Sequence, residues 1–114
     1  MNLEINVDQT DQKSIVEVSG EIDVYTAHKL TEKLLPLTEE KGEFVQVDLK
    51  DVTYMDSTGL GVFISAYKSA KANESELELI NARDRVLRLF IITGIHEIIN
   101  LRTEGKGGKK SGRL

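Results

Sequence analysis

The 114-residue sequence has no cysteine and no tryptophan, only one proline, and aromatic residues amount to 5%. Without cysteine there is no disulfide, no thiolate nucleophile and no thiolate metal site, and the chain suits a reducing compartment. With so few rings, the core has to come from Leu, Ile and Val. No apolar run approaches the ~20 residues of a membrane-spanning helix. The opening Met1-Asn2-Leu3-Glu4-Ile5-Asn6 has neither the basic stretch nor the apolar stretch of a secretion signal. A cytoplasmic protein without membrane contact is expected. The two histidines, His28 and His96, have no third metal ligand at suitable spacing, so they read as solvated surface residues rather than a zinc site. A nucleotide-cradling Gly-rich loop with its lysine is missing as well.

What is present describes one globular domain. Hydrophobic residues make up 39% and charged residues 30%, a balance that buries a core and excludes a disordered chain. The formal charge of −4 is unevenly placed. Residues 102–114 carry Arg102, Lys106, Lys109, Lys110 and Arg113 against Glu104, a net +4, which leaves −8 on residues 1–101. An acidic body argues against nucleic acid as the main partner, because phosphate binding needs clustered Lys and Arg on the folded surface. The Gly/Lys composition of 102–114 reads as a flexible tail.

Hydrophobic periodicity gives the order of elements. Leu3-Glu4-Ile5-Asn6-Val7-Asp8 alternates as a strand with one wet face. Gln9 to Lys13 turns the chain. Ser14 to Ile22 is a second strand, with Ile15 or Val16 and Val18 inward and Gly20 at a bulge. Thr26 is expected to cap a helix from Ala27 to about Glu40, with Leu30, Leu34 and Leu37 buried, Pro36 kinking it or splitting off its last turn, and Gly42 ending it. Phe44 to Leu49 is a buried strand, Leu77 to Ile80 another, and Ile98 to Leu101 a short edge strand. Leu60, Phe63, Ile64 and Tyr67 mark one helix; Val86, Leu89 and Phe90 mark the last, which Gly94 terminates. Strands alternating with helices at this spacing mean an α/β domain.

The chemistry concentrates in Tyr54-Met55-Asp56-Ser57-Thr58-Gly59-Leu60-Gly61. Asp56, Ser57 and Thr58 are all helix-capping residue types, so a hydroxyl is displayed at the positive end of a helix dipole, where strand gives way to helix. Three candidate caps exceed what one helix end needs. Two glycines in a first helical turn cost roughly 1 kcal/mol each relative to Ala, which suggests a reason other than stability, such as an end left bare for another molecule. Glu21 and Asp23 follow the second strand and lie at the same sheet edge if the two strands run parallel. They read either as a solvated acidic loop or as an acidic patch beside the serine. A serine hydrolase is not supported, since Met55 stands at the first glycine of a Gly-x-Ser-x-Gly elbow. Nor is a dinucleotide fingerprint, since Ile64 stands at its third glycine.

The octet resembles the phosphorylation motif of the anti-sigma factor antagonists, the small bacterial STAS-domain proteins also called anti-anti-sigma factors. Gly20-Glu21-Ile22-Asp23-Val24-Tyr25-Thr26-Ala27 resembles that family's segment at the end of its second strand, and Leu87-Arg88-Leu89-Phe90-Ile91-Ile92-Thr93-Gly94-Ile95 its last helix. Order and spacing agree over roughly residues 1–101, and the similarity is greatest to the sub-group that controls a general-stress sigma factor. The resemblance implies a single STAS domain over residues 1–101, a four- to five-stranded mixed β-sheet flanked by three to four α-helices, with 102–114 outside it.

It also implies a phosphorylation-switched protein-binding module and not an enzyme. The form unphosphorylated at Ser57 docks on an anti-sigma factor through Glu21, Asp23, Tyr25, Asp56, Ser57, Thr58, Gly59 and Gly61, freeing a sigma factor for transcription of stress genes. The anti-sigma factor is itself the serine kinase, with its own ATP and Mg²⁺, and a PP2C-type phosphatase reverses the reaction. This chain needs no cofactor or metal, and is expected to be a monomer when free. Two other readings stay open at this point. One is an enzyme carrying a phosphoryl group on Asp56 or Ser57; the other is a module binding a nucleotide or small anion at the helix N-terminus near Ser57.

Overall fold

Residues Leu3–Thr10 (β1) and Lys13–Ile22 (β2) form an antiparallel hairpin. The computed structural model describes residues 2–103. The turn is only Asp11 and Gln12, with Gln12 at φ 61. Gln9, Thr10 and Lys13, expected in the turn, belong to the strands. Three crossovers follow: Ala27–Thr38 (α1) leads to Phe44–Met55 (β3), Ser57–Asn73 (α2) to Glu76–Ile80 (β4), and Asp84–Ile92 (α3) with a 3-10 turn at Ile95–Glu97 to Asn100–Arg102 (β5). The sheet order is β1-β2-β3-β4-β5, with β2 through β5 parallel. This is the α/β class with the expected mixed sheet of five strands. Each crossover moves one strand further in the same direction, so right-handed connections leave the helices on one face.

That face is the core. Val16, Val18, Val45, Val47, Leu49 and Leu79 point inward from the strands and meet Leu30 and Leu34 of α1, Phe63 of α2 and Phe90 of α3 in one cluster. Phe63 and Phe90 pack with ring centroids 6.1 Å apart, inside the range where tilted rings attract. Of the alternatives for β2, Val16 is buried and Ile15 only partly. Gly20 sits where the β2–β3 register shifts, at φ 117 with the carbonyl of Asn2 against it. A side chain there would strain the backbone and strike that carbonyl, so the bulge needs glycine.

Several boundaries differ from the sequence reading. The helix α1 ends at Thr38, not near Glu40, and Gly42 lies beyond it in the following turn at φ 82. Pro36 splits nothing off: it stands in the last turn, where its missing N–H removes a single bond, and the helix continues through it. Thr26 does occupy the N-cap of α1, but its hydroxyl donates backwards to the Glu21 carbonyl at 2.7 Å instead of capping. The strand β3 is twice the expected length, running six residues past Leu49 to Met55. Glu21 lies within β2, inside the expected range Ser14 to Ile22, and of the two acidic residues only Asp23 follows the strand. Arg102, read as the start of the tail, closes β5, so the folded domain extends past residue 101. The rest of the tail reading, residues 104–114, falls outside the described residues.

The other face of the sheet is polar. Gln46 Nε2 donates to Glu78 Oε1 and Arg102 Nε to Glu78 Oε2, both at 2.9 Å. Burial alone would raise the Glu78 pKa, but the hydrogen bonds from Arg102 and Gln46 outweigh it and hold the carboxyl below its usual range. A carboxyl lowered in the fold adds stability that is complete above its unfolded pKa and lost as pH falls through the folded one. The stability gap between wild type and Glu78→Gln should therefore be widest at neutral pH and should narrow below about pH 4. Urea midpoints at pH 7 and pH 3 measure it; an unchanged gap would mean that Glu78 acts through packing alone.

Candidate functional site

Two parallel strands end side by side and deliver the candidate residues. Ile22, the last residue of β2, is in register with Met55, the last of β3. The Asp56 N–H donates to the Ile22 carbonyl at 3.3 Å, which ties the two chain exits together. The site thus lies at the carboxyl end of a parallel sheet, the usual place for function in an open α/β fold. Glu21 and Tyr54 pair on the neighbouring strands, while Asp23, Val24 and Tyr25 form the loop into α1. The parallel arrangement on which the acidic patch depended is present.

Among the three possible caps, Asp56 is the one used. It holds an extended conformation, and its Oδ1 accepts the Thr58 N–H at 2.9 Å. The Asp56 carbonyl accepts from Gly59 and Leu60 at 3.0 and 3.3 Å. The head of α2 is therefore almost saturated, and Ser57, its first residue, is released from capping. Ser57 is exposed, and its hydroxyl has no hydrogen-bond partner among the described residues. Thr58 is half-buried. Of the two, Ser57 is the more exposed residue.

The two glycines do different things. Gly61 is exposed, and a Cβ there would meet nothing within 4 Å. Gly59 is buried: a Cβ would collide with Met55 Cγ and lie 2.9 Å from both Ile22 Cγ2 and Met55 Sδ. Gly59 thus lets α2 settle onto the ends of β2 and β3, and its face is closed to a partner. The expectation that both glycines bare the helix end holds for Gly61 alone.

Asp23 also turns out differently. Its Oδ1 accepts from the backbone N–H of Tyr25 (2.9 Å) and of Thr26 (3.1 Å), and its own N–H donates to the Thr26 hydroxyl at 3.0 Å. It builds the loop, as Asp residues do in such turns, and is half-buried. Glu21, also half-buried, has a carboxylate with no such engagement among the described residues. What sequence reasoning missed is apolar: Val24 is 63% exposed and Tyr54 41%, beside Tyr25, one of the expected docking residues, at 75%. A valine in a loop after a strand could have been noted, but only the fold shows that it faces solvent. Among the described residues no group of three or more His, Cys, Asp or Glu could hold a metal, and no helix is long and apolar enough to cross a membrane.

Fold and site together define an α/β domain that presents an exposed serine at the carboxyl ends of two interior strands, beside a loop with two exposed apolar residues. The chain belongs to the STAS domain family, whose pattern matches residues 4–106. It is 46% identical over 108 residues to the anti-sigma-B factor antagonist of Bacillus subtilis, covering 95% of this chain and 98% of that one. It is also 46% identical over 103 residues to the protein of that name from Listeria monocytogenes, covering 90% of each. The crystal structure of an anti-sigma factor antagonist from Mycobacterium paratuberculosis matches with a TM-score of 0.77 at 26% identity, over 88% of this chain and 85% of that one. These relatives are named as antagonists, regulators rather than enzymes, which supports an antagonist role here.

Proposed function

We propose that this chain is a phosphorylation-switched antagonist of an anti-sigma factor. Unphosphorylated, it docks through the Ser57 edge, with Ser57, Thr58, Gly61, Glu21 and Tyr25 meeting the partner. Asp23, Asp56 and Gly59 hold that surface in place. Docking takes the anti-sigma factor away from its sigma factor, which is then free for RNA polymerase and stress-gene transcription. The anti-sigma factor is also the kinase: the Ser57 oxygen attacks the γ-phosphorus of its ATP, the bond to the bridging oxygen breaks, ADP leaves, and the serine proton passes to a base of the kinase. A PP2C-type phosphatase hydrolyses the phosphoserine and restores the docking form. The chain acts in the cytoplasm as a monomer when free.

The observation that carries this reading is the exposed Ser57 at the head of α2, its hydroxyl without a hydrogen-bond partner among the described residues while Asp56 does the capping. Mixing the purified chain with its anti-sigma factor and Mg-ATP should add one phosphate per chain, located on Ser57 by mass spectrometry and absent from Ser57→Ala. A phosphate that maps to Thr58 would refute the assignment.

Glu21 is the acidic group of this site whose carboxylate no described residue engages. Glu21→Lys should slow association at low salt and flatten its salt dependence with little change in dissociation, since rim charges act on encounter. Stopped-flow association across salt concentrations reads this; identical curves for both proteins would leave Glu21 a solvated residue.

A further inference from the structure

We propose that docking at the Ser57 edge is anchored by two apolar side chains, Val24 and Tyr25, which insert into an apolar socket of the anti-sigma factor. The proposal rests on the docking reading above and adds where the affinity comes from. The acidic residues of this edge are poor candidates for that role. Asp23 Oδ1 is engaged by two backbone N–H groups and Asp56 Oδ1 by a third. They keep their charge for long-range steering, but of the three only Glu21 has a carboxylate that no described residue engages. Val24 and Tyr25, by contrast, are turned outward at 63% and 75% exposure.

Their exposure is built in. Asp23 and Thr26 brace the loop on both sides of the pair, with Thr26 Oγ1 donating to the Glu21 carbonyl at 2.7 Å and accepting from the Asp23 N–H at 3.0 Å. The loop therefore holds both side chains in solvent before any partner arrives, and little conformational entropy is lost on docking. Tyrosine is among the residue types enriched in interface hot spots, and Val24 beside it on the same braced loop adds exposed apolar area. The loop is continuous with the serine, because the Ile22 carbonyl just before it accepts the Asp56 N–H. A phosphate on Ser57 would thus stand at the mouth of the same socket and keep the anchors from seating.

Charge selects among occupants. Residues 1–101 carry −8, which disfavours a second copy of this chain and an anionic lipid surface and favours a protein socket with a basic rim. The exposed apolar residue Ile92 (71%) ends α3, which starts after β4 at the Ser57 edge and runs back away from it. It serves as the control.

The test measures binding of Val24→Ser, Tyr25→Ser, Ile92→Ser and Ser57→Asp to the purified anti-sigma factor of the same cell with Mg-ADP, alongside melting temperatures and sedimentation of the free chains. Val24→Ser and Tyr25→Ser should each dissociate about 10- to 100-fold faster with unchanged melting temperature. Ile92→Ser should bind as wild type does. Binding of both loop variants within about twofold of wild type, a loss as large in Ile92→Ser, or a change confined to self-association would overturn the anchor. If Ser57→Asp still fails to bind in the first case, the anchor alone falls. If Ser57→Asp binds as wild type does, the docking reading falls and takes the anchor with it.

Discussion

Ser57→Ala should bind the anti-sigma factor about as well as wild type and keep binding it in the presence of ATP, whereas Ser57→Asp should bind at least about 100-fold more weakly. The alanine removes a hydroxyl that has no hydrogen-bond partner among the described residues, so no buried group is orphaned and stability should change by less than about 0.5 kcal/mol. The aspartate adds charge to a helix end that is already occupied. Asp56 has taken the Thr58 N–H, and the Asp56 carbonyl takes those of Gly59 and Leu60. A helix dipole favours an anion in its first turn by ~0.3–1 kcal/mol, and the neighbouring Asp56 carboxylate opposes it by a similar, solvent-screened amount. The fold is left nearly indifferent. At an interface the same charge has to be desolvated, at several kcal/mol, and each ~1.4 kcal/mol is tenfold in affinity. Calorimetric titration of the three proteins decides the matter; equal binding of Ser57→Asp and Ser57→Ala would end the switch.

Gly59→Val should destabilise the domain by about 3 kcal/mol while Gly61→Ala stabilises it by about 0.5–1 kcal/mol, although the two glycines stand two residues apart in one helix. At Gly59 the first added carbon already collides with Met55 and crowds Ile22, and a branched side chain forces both out of place, a typical overpacking cost. At Gly61 an added methyl meets nothing within 4 Å, so the reduced freedom of the unfolded chain and the better helix propensity act unopposed. Urea midpoints read both. Shifts of the same sign in both variants would mean that α2 does not seat on the ends of β2 and β3 as described. The two residues also separate function from stability, since Gly61→Ala should test contact with the partner without cost to the fold.

The order of elements was legible in the sequence because it depends on periodicity, and periods of two and 3.6 survive in short windows. Val16, Val45 and Val47, all fully buried, are examples. The site was legible as a location and less so as a set of roles. Asp56, Ser57 and Thr58 are equally good caps by residue type; which one caps is set by where β3 ends, and β3 runs six residues further than its apolar stretch. The beyond-Leu49 segment Lys50-Asp51-Val52-Thr53-Tyr54 looks polar because it is paired on β2 while its outward side chains meet water. Gly59 and Gly61 are the same residue type, and only the tertiary contact with Met55 and Ile22 tells them apart. Asp23 read as an acidic contact because a sequence shows charge and hides the two N–H groups that claim it. Thr26 read as a cap for the same reason, its hydroxyl oxygen accepting the Asp23 N–H before the helix instead of one from its first turn.

Ser57 phosphorylation should block docking directly and leave the domain as it was. The measurement that tests it most directly is a backbone amide spectrum of the fully phosphorylated chain, alone and titrated with the anti-sigma factor, next to the unmodified chain. Shifts on phosphorylation should stay within residues 21–26 and 55–62, the melting temperature should move by no more than a few degrees, and the partner should no longer perturb the spectrum. Shifts spread through the sheet and the other helices, or a phosphorylated chain that still docks, would contradict it.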